Sequence, residues 1–476
     1  MTSLKWDGLK VVVAGIGISG FACADALLER GAQVTIIEAD DSGNRRDRGT
    51  VLEVLGADIR FGAEHVAGLP DVGAELLIVS PGWDSEHPVV RDALAAGIPV
   101  WAEAELAWQL RPAEEPAPWL TITGTRGKAT TATMLATMLS AHGRRATSTG
   151  QAGTSLLESV LHPQPYDVLA VQLSAHQLRW SSSLQPLASV CLNVGPAELA
   201  QDYGRIYENT EVACVYNVAD PATEELVREA DVIEGARAVG FSGGTPAVSM
   251  LGLVEDVLCD RAFVPQRTTS AAELGTTEDV RTAGAGVLAA HNVLNALAAA
   301  SLARAYGVNP SAVRDGLRHY YPLTHRLNLL TRSAEVDWVD DSAATDAFAV
   351  AAGLSSFESV VWIAGGHGPA PVDLDATVQK YAGRLRGVVL LPGEGSVAIR
   401  EALGRHAPDV PVFDSAVQET GEVPQIEPVM RAAVEQAEAV ARAGDTVLLS
   451  PAFPAPAGEA FSARGQAFAA AVKDVA

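Results

Sequence analysis

The chain has 476 residues, nearly half of them apolar, and a formal net charge of −24. Its length suits about three domains at roughly 150 residues each. So acidic a balance repels phosphate backbones and acidic lipid surfaces, which argues against nucleic acid or a membrane as partner.

The opening MTSLKWDGLK has neither the apolar core nor the small-residue cleavage site of a signal peptide. The apolar run VVVAGIG (11–17) predicts a parallel-sheet strand, followed by a helix around 20–30 and a second strand, VTIIEA (34–39). LLIVSPG (76–82) predicts another strand, and RPAEEPAP (111–118) reads as a linker. WLTITG opens a second segment, with strands at DVLAVQL (167–173), ASVCLNV (188–194) and VACVYN (212–217). The polar, poorly periodic stretch 260–285 reads as surface loop. The Ala-rich run 291–307 predicts a long helix that Gly307 terminates. From HRLNLL onward, strands VVWIAGG (360–366), GVVLLPG (387–393) and DTVLLSPA (445–452) alternate with helical stretches. Alternation of β and α over three blocks predicts an α/β protein with parallel sheets covered by helices. No apolar run reaches the ~18–20 residues of a membrane span. Cys23, Cys191, Cys214 and Cys259 lack metal-type spacing and read as reduced core residues.

Two motifs carry chemistry. Gly15, Gly17 and Gly20, with Ile18 and Ser19 between them, form a GxGxxG turn between a strand and a helix. Glycines there let the backbone approach a pyrophosphate at the helix N-terminus, and Glu38 ends the next strand where a ribose-binding acid often sits. NAD fits this turn, as does any pyrophosphate ligand. The second motif, TITGTRGKATTATM (121–134), is a phosphate loop in a short G-x-x-G-K form. Its backbone N–H groups and Lys128 suit nucleotide phosphates, but Ala129 stands where a hydroxyl would grip magnesium, leaving Thr130 as the nearby substitute.

The order of motifs resembles the Mur ligases, in their D-glutamate-adding branch. A glycine-rich N-terminal turn is followed by a GTxGK-type loop, then HNVLNALAAA (291–300), His325-Arg326, and VDDS (339–342) with Thr345. SPGW (80–83), PVWAEAELAW (99–108), VACVYNVADPATE (212–224) and RGQAF (464–468) extend the likeness along the whole length. The resemblance implies three domains. A Rossmann-like domain at 1–113 would bind the UDP end of a UDP-N-acetylmuramoyl sugar nucleotide. A P-loop-type domain at 114–321 would bind ATP and Mg²⁺. A Rossmann-like domain at 322–476 would bring D-glutamate. It implies a cytoplasmic protein in peptidoglycan synthesis, working as a monomer. In the family reaction a carboxylate is activated by ATP as an acyl phosphate, and an amine attacks it to form an amide.

Carried over residue by residue, the resemblance assigns ATP to Gly124, Thr125, Gly127, Lys128, Thr130, Asn292, Asn295, Arg326 and Asp341. It assigns the UDP-sugar to Gly15, Gly17, Ile18, Ser19, Gly20, Glu38, Gly82 and Gln177, and the amino acid to Thr345. Lys128 and Arg326 are the catalytic candidates. Several family positions differ. Arg126 and Ala129 replace an asparagine and a hydroxyl in the loop. Gln172 stands for a magnesium-binding glutamate, and a neutral amide lacks the charge that a divalent ion prefers. NVGPAELAQDYGRIYE (193–208) puts Glu198 at the first histidine of a family pattern and lacks both its metal-binding histidine and a carbamylated lysine. Ala343 replaces a lysine, GGHGPAP (365–371) and SPAFPAPAGEAF (450–461) lose further side chains, and Gly150-Gln151-Ala152-Gly153 replaces GNIG. The metal ligands are therefore unknown.

These losses point to a degenerate paralogue that binds UDP-sugar and ATP with weak or no ligase activity. The alternative is an active ATP-dependent ligase in which Glu198, Asp202 or His176 act as substitute metal ligands. A third reading is a UDP-sugar carrier or scaffold without ATP dependence.

Overall fold

A computed structural model describes residues 5–150, 154–195, 199–283, 287–322, 324–368, 371, 373–415, 426–455 and 461–475. Among them the strands form three sheets. The first holds β1 (Lys10–Ala14), β2 (Gln33–Glu38), β3 (Asp58–Phe61), β4 (Leu76–Val79) and β5 (Val100–Ala102). All five are parallel, in the order β3-β2-β1-β4-β5. The run VVVA in β1 is wholly buried, as expected of a strand covered on both faces. Because β1 lies between β2 and β4, the winding reverses there, which opens a crevice at the carboxyl ends of these strands.

The second sheet contains β6 (Trp119–Thr123), β7 (Ala146–Thr149), β8 (Val168–Gln172), β9 (Ala188–Cys191) and β10 (Ala213–Asn217). It continues with β11 (Arg237–Phe241), β12 (Met250–Val254), β13 (Val257–Asp260) and β14 (Ala272–Thr276), in the order β14-β13-β12-β11-β10-β9-β6-β8-β7. β6 is flanked by β8 and β9, a second switch point. The stretch 260–285, expected to be loop, instead carries β14 and a helix, Thr277–Ala283. β14 pairs antiparallel with β13 across a register shift at Leu258/Cys259, so its irregular pattern hides a strand that lies at the sheet edge.

The third sheet holds β15 (Asn328–Ser333), β16 (Val336–Asp340), β17 (Val360–Gly365), β18 (Leu385–Leu390), β19 (Val412–Asp414) and β20 (Thr446–Ala452). Their order is β15-β16-β20-β17-β18-β19, parallel except for the β15–β16 pair.

The chain falls into two compact units: residues 1–276 with 294–317, and residues 277–293 with 318–476. In the first unit one core runs from Val11, Ile36 and Leu52 through Leu106 and Trp108 to Trp119 and Leu169, so the first two sheets share apolar burial. Trp108 and Trp119 meet edge to face at 4.9 Å. Two buried carboxylates reinforce this packing. Glu103 accepts bonds from Ser155 Oγ (2.6 Å) and the Leu156 and Leu157 amides (2.8 and 3.3 Å). Glu105 accepts from the amides of Ser182 and Ser183 (2.7 and 3.0 Å). In the second unit β17 and β20 are buried throughout, and Trp362 Nε1 donates to the Ser450 carbonyl at 2.7 Å.

The Ala-rich helix spans Ala290–Tyr306, and Gly307 follows it with φ of +100°, the left-handed conformation that ends a helix. All four cysteines are buried and unbridged. No helix among the described residues is long and apolar enough to cross a membrane.

Candidate nucleotide and sugar-nucleotide sites

The glycine turn leaves β1 at the first switch point. Gly15 has φ of +92°, and a Cβ at residue 20 would lie 1.9 Å from the Gly15 carbonyl oxygen, so both positions require glycine. Gly17 faces open space, and Ile18 is 56% exposed. The 11-residue helix Ile18–Leu28 has no side-chain cap and no acidic residue in its first turn. Its amides therefore present positive partial charge outward, the arrangement that receives a phosphate. Glu38 is not a free ribose acceptor. It holds the Ile16 amide (3.1 Å) with one oxygen, and the Asp40 amide (3.1 Å) and Arg45 (3.3 Å) with the other. Gly82 has φ of +103° in an open turn after β4.

The phosphate loop leaves β6 at the second switch point. Gly124 and Gly127 have φ of +133° and +85°. Asn193, two residues beyond β9, clamps the loop: its Oδ1 accepts from the Arg126 amide (3.0 Å) and its Nδ2 donates to the Arg126 carbonyl (3.1 Å). A Cβ at Gly127 would lie 2.5 Å from Asn295 Oδ1, so Asn295, expected on the adenine side, packs against the loop itself. Thr125 Oγ1 lies 3.3 Å from the Tyr203 hydroxyl, and Tyr203 is only 5% exposed. Lys128 opens the 14-residue helix Lys128–Ala141 and turns its ammonium back onto the Gly124 carbonyl at 2.6 Å. Burial pushes this ammonium down to about 8, and the neighbouring Arg126 charge adds to the shift. Backbone N–H groups, a helix N-terminus and the Lys128 ammonium make a cradle that suits nucleotide phosphates.

Among the described residues, few side chains around this cradle offer magnesium an oxygen. Ala129 offers no side-chain oxygen, and Thr130 is half-buried. Gln172, 2% exposed at the end of β8, donates its amide to Ser148 Oγ at 3.3 Å. Asp202, one expected substitute ligand, is committed to Arg179, whose Nε reaches both carboxylate oxygens at 3.1 and 3.0 Å. His176 stands half-buried in the helix Ala175–Arg179, and Glu198 lies outside the described residues. No three His, Cys, Asp or Glu side chains among the described residues stand together as a metal cage. Gln177, expected to touch the sugar nucleotide, spends its amide inside the protein. Its Oε1 accepts from Ser174 in a capping box, and its Nε2 donates to the Gly150 carbonyl at 3.1 Å. Residues 151–153 lie outside the described residues.

The remaining expected residues lie in the second unit. Asp341 is buried, accepts from Ser450 Oγ (3.0 Å) and the Leu327 amide (3.3 Å), and is pushed up to about 8 by burial. It is therefore mostly a neutral acid near pH 7. Arg326 is exposed, and its charge opposes that shift. His325 adopts φ of +68° and lies 2.6 Å from Asp340 through Nδ1. His291 is held neutral by burial, its value lowered to about 4, and Asn292 follows it half-buried. Thr345 is half-buried beside Asp346, which caps the helix Ala347–Ser355 through the Phe348 and Ala349 amides. Parts of the two C-terminal loops, residues 369–370 and 456–460, lie outside the described residues.

Residues 9–102 match the family described as Mur ligase MurD-like, N-terminal domain, and residues 122–303 match the Mur ligase middle domain. A UDP-N-acetylmuramoylalanine--D-glutamate ligase from Streptomyces avermitilis is 48% identical, covering 98% of this chain and 99% of that protein. The chain belongs to the Mur ligase family, in its MurD-like branch. Proteins of the same name from Streptomyces coelicolor and Mycolicibacterium smegmatis are 47% and 36% identical, covering 99% and 98% of this chain and 99% and 97% of theirs. Among solved structures, the Mur ligase fold is matched by UDP-N-acetylmuramate-alanine ligase MurC from Thermotoga maritima. Its TM-score is 0.55 at 17% identity, covering 98% of this chain and 100% of that one. Asn193, Tyr203 and Arg179 are the site residues that sequence reasoning missed. Asn193 alone carried a signal, as a polar residue at the carboxyl end of a strand beside a switch point.

Proposed function

We propose that this MurD-like chain joins D-glutamate to UDP-N-acetylmuramoyl-L-alanine in an ATP-dependent, amide-forming reaction of peptidoglycan synthesis, as a cytoplasmic monomer. The observation that carries this reading is similarity over nearly the whole length, at up to 48% identity, to proteins named for that ligation. The open glycine turn and the clamped phosphate loop support it, because both anion cradles are intact. Residues 1–113 would take the UDP end through the turn at Gly15, Gly17, Ile18, Ser19 and Gly20. Residues 114–321 would hold ATP through Gly124, Thr125, Gly127 and Lys128. Residues 322–476 would receive the amino acid, with Thr345 as its candidate contact, and Arg326 and Asp341 remain candidate ATP-binding residues by the family resemblance. Lys128 would carry positive charge toward the transferring phosphoryl group, where such charge counts most.

One observation favours a second reading, a member that binds without ligating. Gln172 and Ala129 together remove an anion and a hydroxyl from the loop's surroundings, and losses of this kind cost about 10²–10³ in rate when the group acts in the transition state. Phosphate release decides between the two. The assay contains ATP, Mg²⁺, UDP-N-acetylmuramoyl-L-alanine and D-glutamate, with Lys128→Ala as control. Release that needs every component and disappears in the variant establishes the ligase. Absence of release, with the sugar nucleotide still bound, establishes the binding-only member.

A further inference from the structure

Three neighbouring strands of the second sheet end side by side, in the order β10-β9-β6. Side chains tie their carboxyl ends together. Asn217, the last residue of β10, donates Nδ2 to the Leu192 carbonyl at 2.9 Å, and Asp220 beyond it accepts from the Val194 amide at 2.9 Å. Asn193 stands between these two tethers, so its place is fixed from the β10 side. It fixes the phosphate loop in turn. The Thr125 amide donates to the Asn193 carbonyl at 3.4 Å, the Arg126 amide donates to Oδ1 at 3.0 Å, and Nδ2 donates to the Arg126 carbonyl at 3.1 Å. A Cβ at Gly124 would lie 3.1 Å from both the Asn193 amide nitrogen and its carbonyl oxygen, so glycine there admits the close approach.

These bonds aim two peptides. In a trans peptide the C=O and N–H point to opposite sides of one plane. With the Arg126 carbonyl turned to Asn193, the Gly127 N–H of the same peptide points away from it. With the Arg126 N–H turned to Asn193, the Thr125 carbonyl points the other way, and Lys128 Nζ lies 3.4 Å from it. Gly127 has φ of +85° and, as glycine, passes easily between conformations, so residue 127 does not itself hold this peptide. The first bond of the following helix runs from the Thr131 amide to the Gly127 carbonyl at 2.9 Å, so the amides of Lys128, Ala129 and Thr130 precede the helical ladder.

We propose that Asn193 is a positioning residue for the nucleotide: it pre-sets the 126–127 peptide so that the Gly127 N–H joins the first helix amides as a phosphate donor. The proposal rests on the reading that the loop binds ATP. Only the backbone of Arg126 takes part. Without Asn193 the peptide turns freely, and the loop holds its binding geometry for a smaller share of the time, which weakens binding by that share.

The test is calorimetric titration of the full chain with the imido analogue of ATP in the presence of Mg²⁺, and separately with UDP. Asn193→Leu keeps the volume and removes both side-chain bonds. It is expected to weaken the analogue by about 10–30-fold, the share that two ordinary hydrogen bonds hold in the aimed state. UDP affinity is expected to stay within about twofold, because the glycine turn belongs to the first sheet. Asn193→Gln carries the amide on a longer stem that displaces both bonds, and is expected to lose about 3–10-fold. Labelling with carbonyl-¹³C arginine and ¹⁵N glycine isolates the Arg–Gly amides, and the Gly127 resonance is expected to shift when the parent binds the analogue. A cooperative thermal transition checks that each variant is folded; if Asn193→Leu lacks one, Asn193→Gln takes its place. A folded variant that binds the analogue as the parent does, or weakens UDP as much as the analogue, overturns the inference while leaving the ATP-binding reading standing. So does a Gly127 resonance that the analogue leaves unmoved. A parent that binds no analogue overturns both.

Discussion

Lys128 offers a quantitative handle on the phosphate loop. Its ammonium is buried against the Gly124 carbonyl and titrates at about 8, well below the ordinary 10.5. Phosphate binding favours the charged form, so it returns the group toward its ordinary value, and binding takes up a proton wherever the free protein has lost one. At pH 7 roughly nine-tenths of the free protein carries the charged lysine, and at pH 9 roughly one-tenth does. Apparent nucleotide affinity should therefore fall about tenfold between those values, with most of the loss above pH 8. Titration of the imido analogue of ATP across this range measures it, and Lys128→Met should bind weakly with a flat profile. A flat profile in the unaltered chain, or the same slope in Lys128→Met, would refute the assignment of Lys128 to the phosphates.

Three further outcomes follow from the geometry. Gly20→Ala drives a methyl into the Gly15 carbonyl, 1.9 Å away; it should cost at least about 2 kcal/mol in urea denaturation and abolish UDP binding in titration. Glu103→Ala strips the Leu156 and Leu157 amides of their acceptor at a buried position, and should cost about 2–4 kcal/mol by the same assay. Asp341 holds a proton in the folded chain up to about pH 8, whereas the unfolded chain releases it near 3.8. The folded state thus binds more protons between these values, and its stability falls as pH rises through that window. Asp341→Asn keeps the bond from the Leu327 amide, can donate to Ser450 Oγ in place of accepting from it, and lacks this slope, so urea midpoints measured across the window should show the variant gaining on the parent as pH rises.

The fold was legible where local pattern and burial agree. VVVAGIG announced both β1 and the turn after it, because a strand buried on both faces is continuously apolar and a turn against a carbonyl admits only glycine. Gly307 marked the end of the Ala-rich helix for the same kind of reason: one backbone conformation, one residue type that takes it freely. β14 escaped because an edge strand reached through a bulge keeps no clean alternation. The partners of the site escaped for a different reason. Asn193 lies 67 positions from Arg126, and Tyr203 lies 78 from Thr125, so nothing local to the loop reports them. Asp202 shows the cost of reasoning from residue type alone. A carboxylate near a metal-binding pattern read as a substitute ligand, but the fold brings Arg179 onto it from 23 positions away and consumes its charge. A side chain's chemistry becomes a function only after its neighbours have taken their share. The phosphate loop is the converse case: there Asn193 takes the backbone of Arg126 and fixes the turn, while no side chain caps the helix that Lys128 opens, so its first amides are left to an anion.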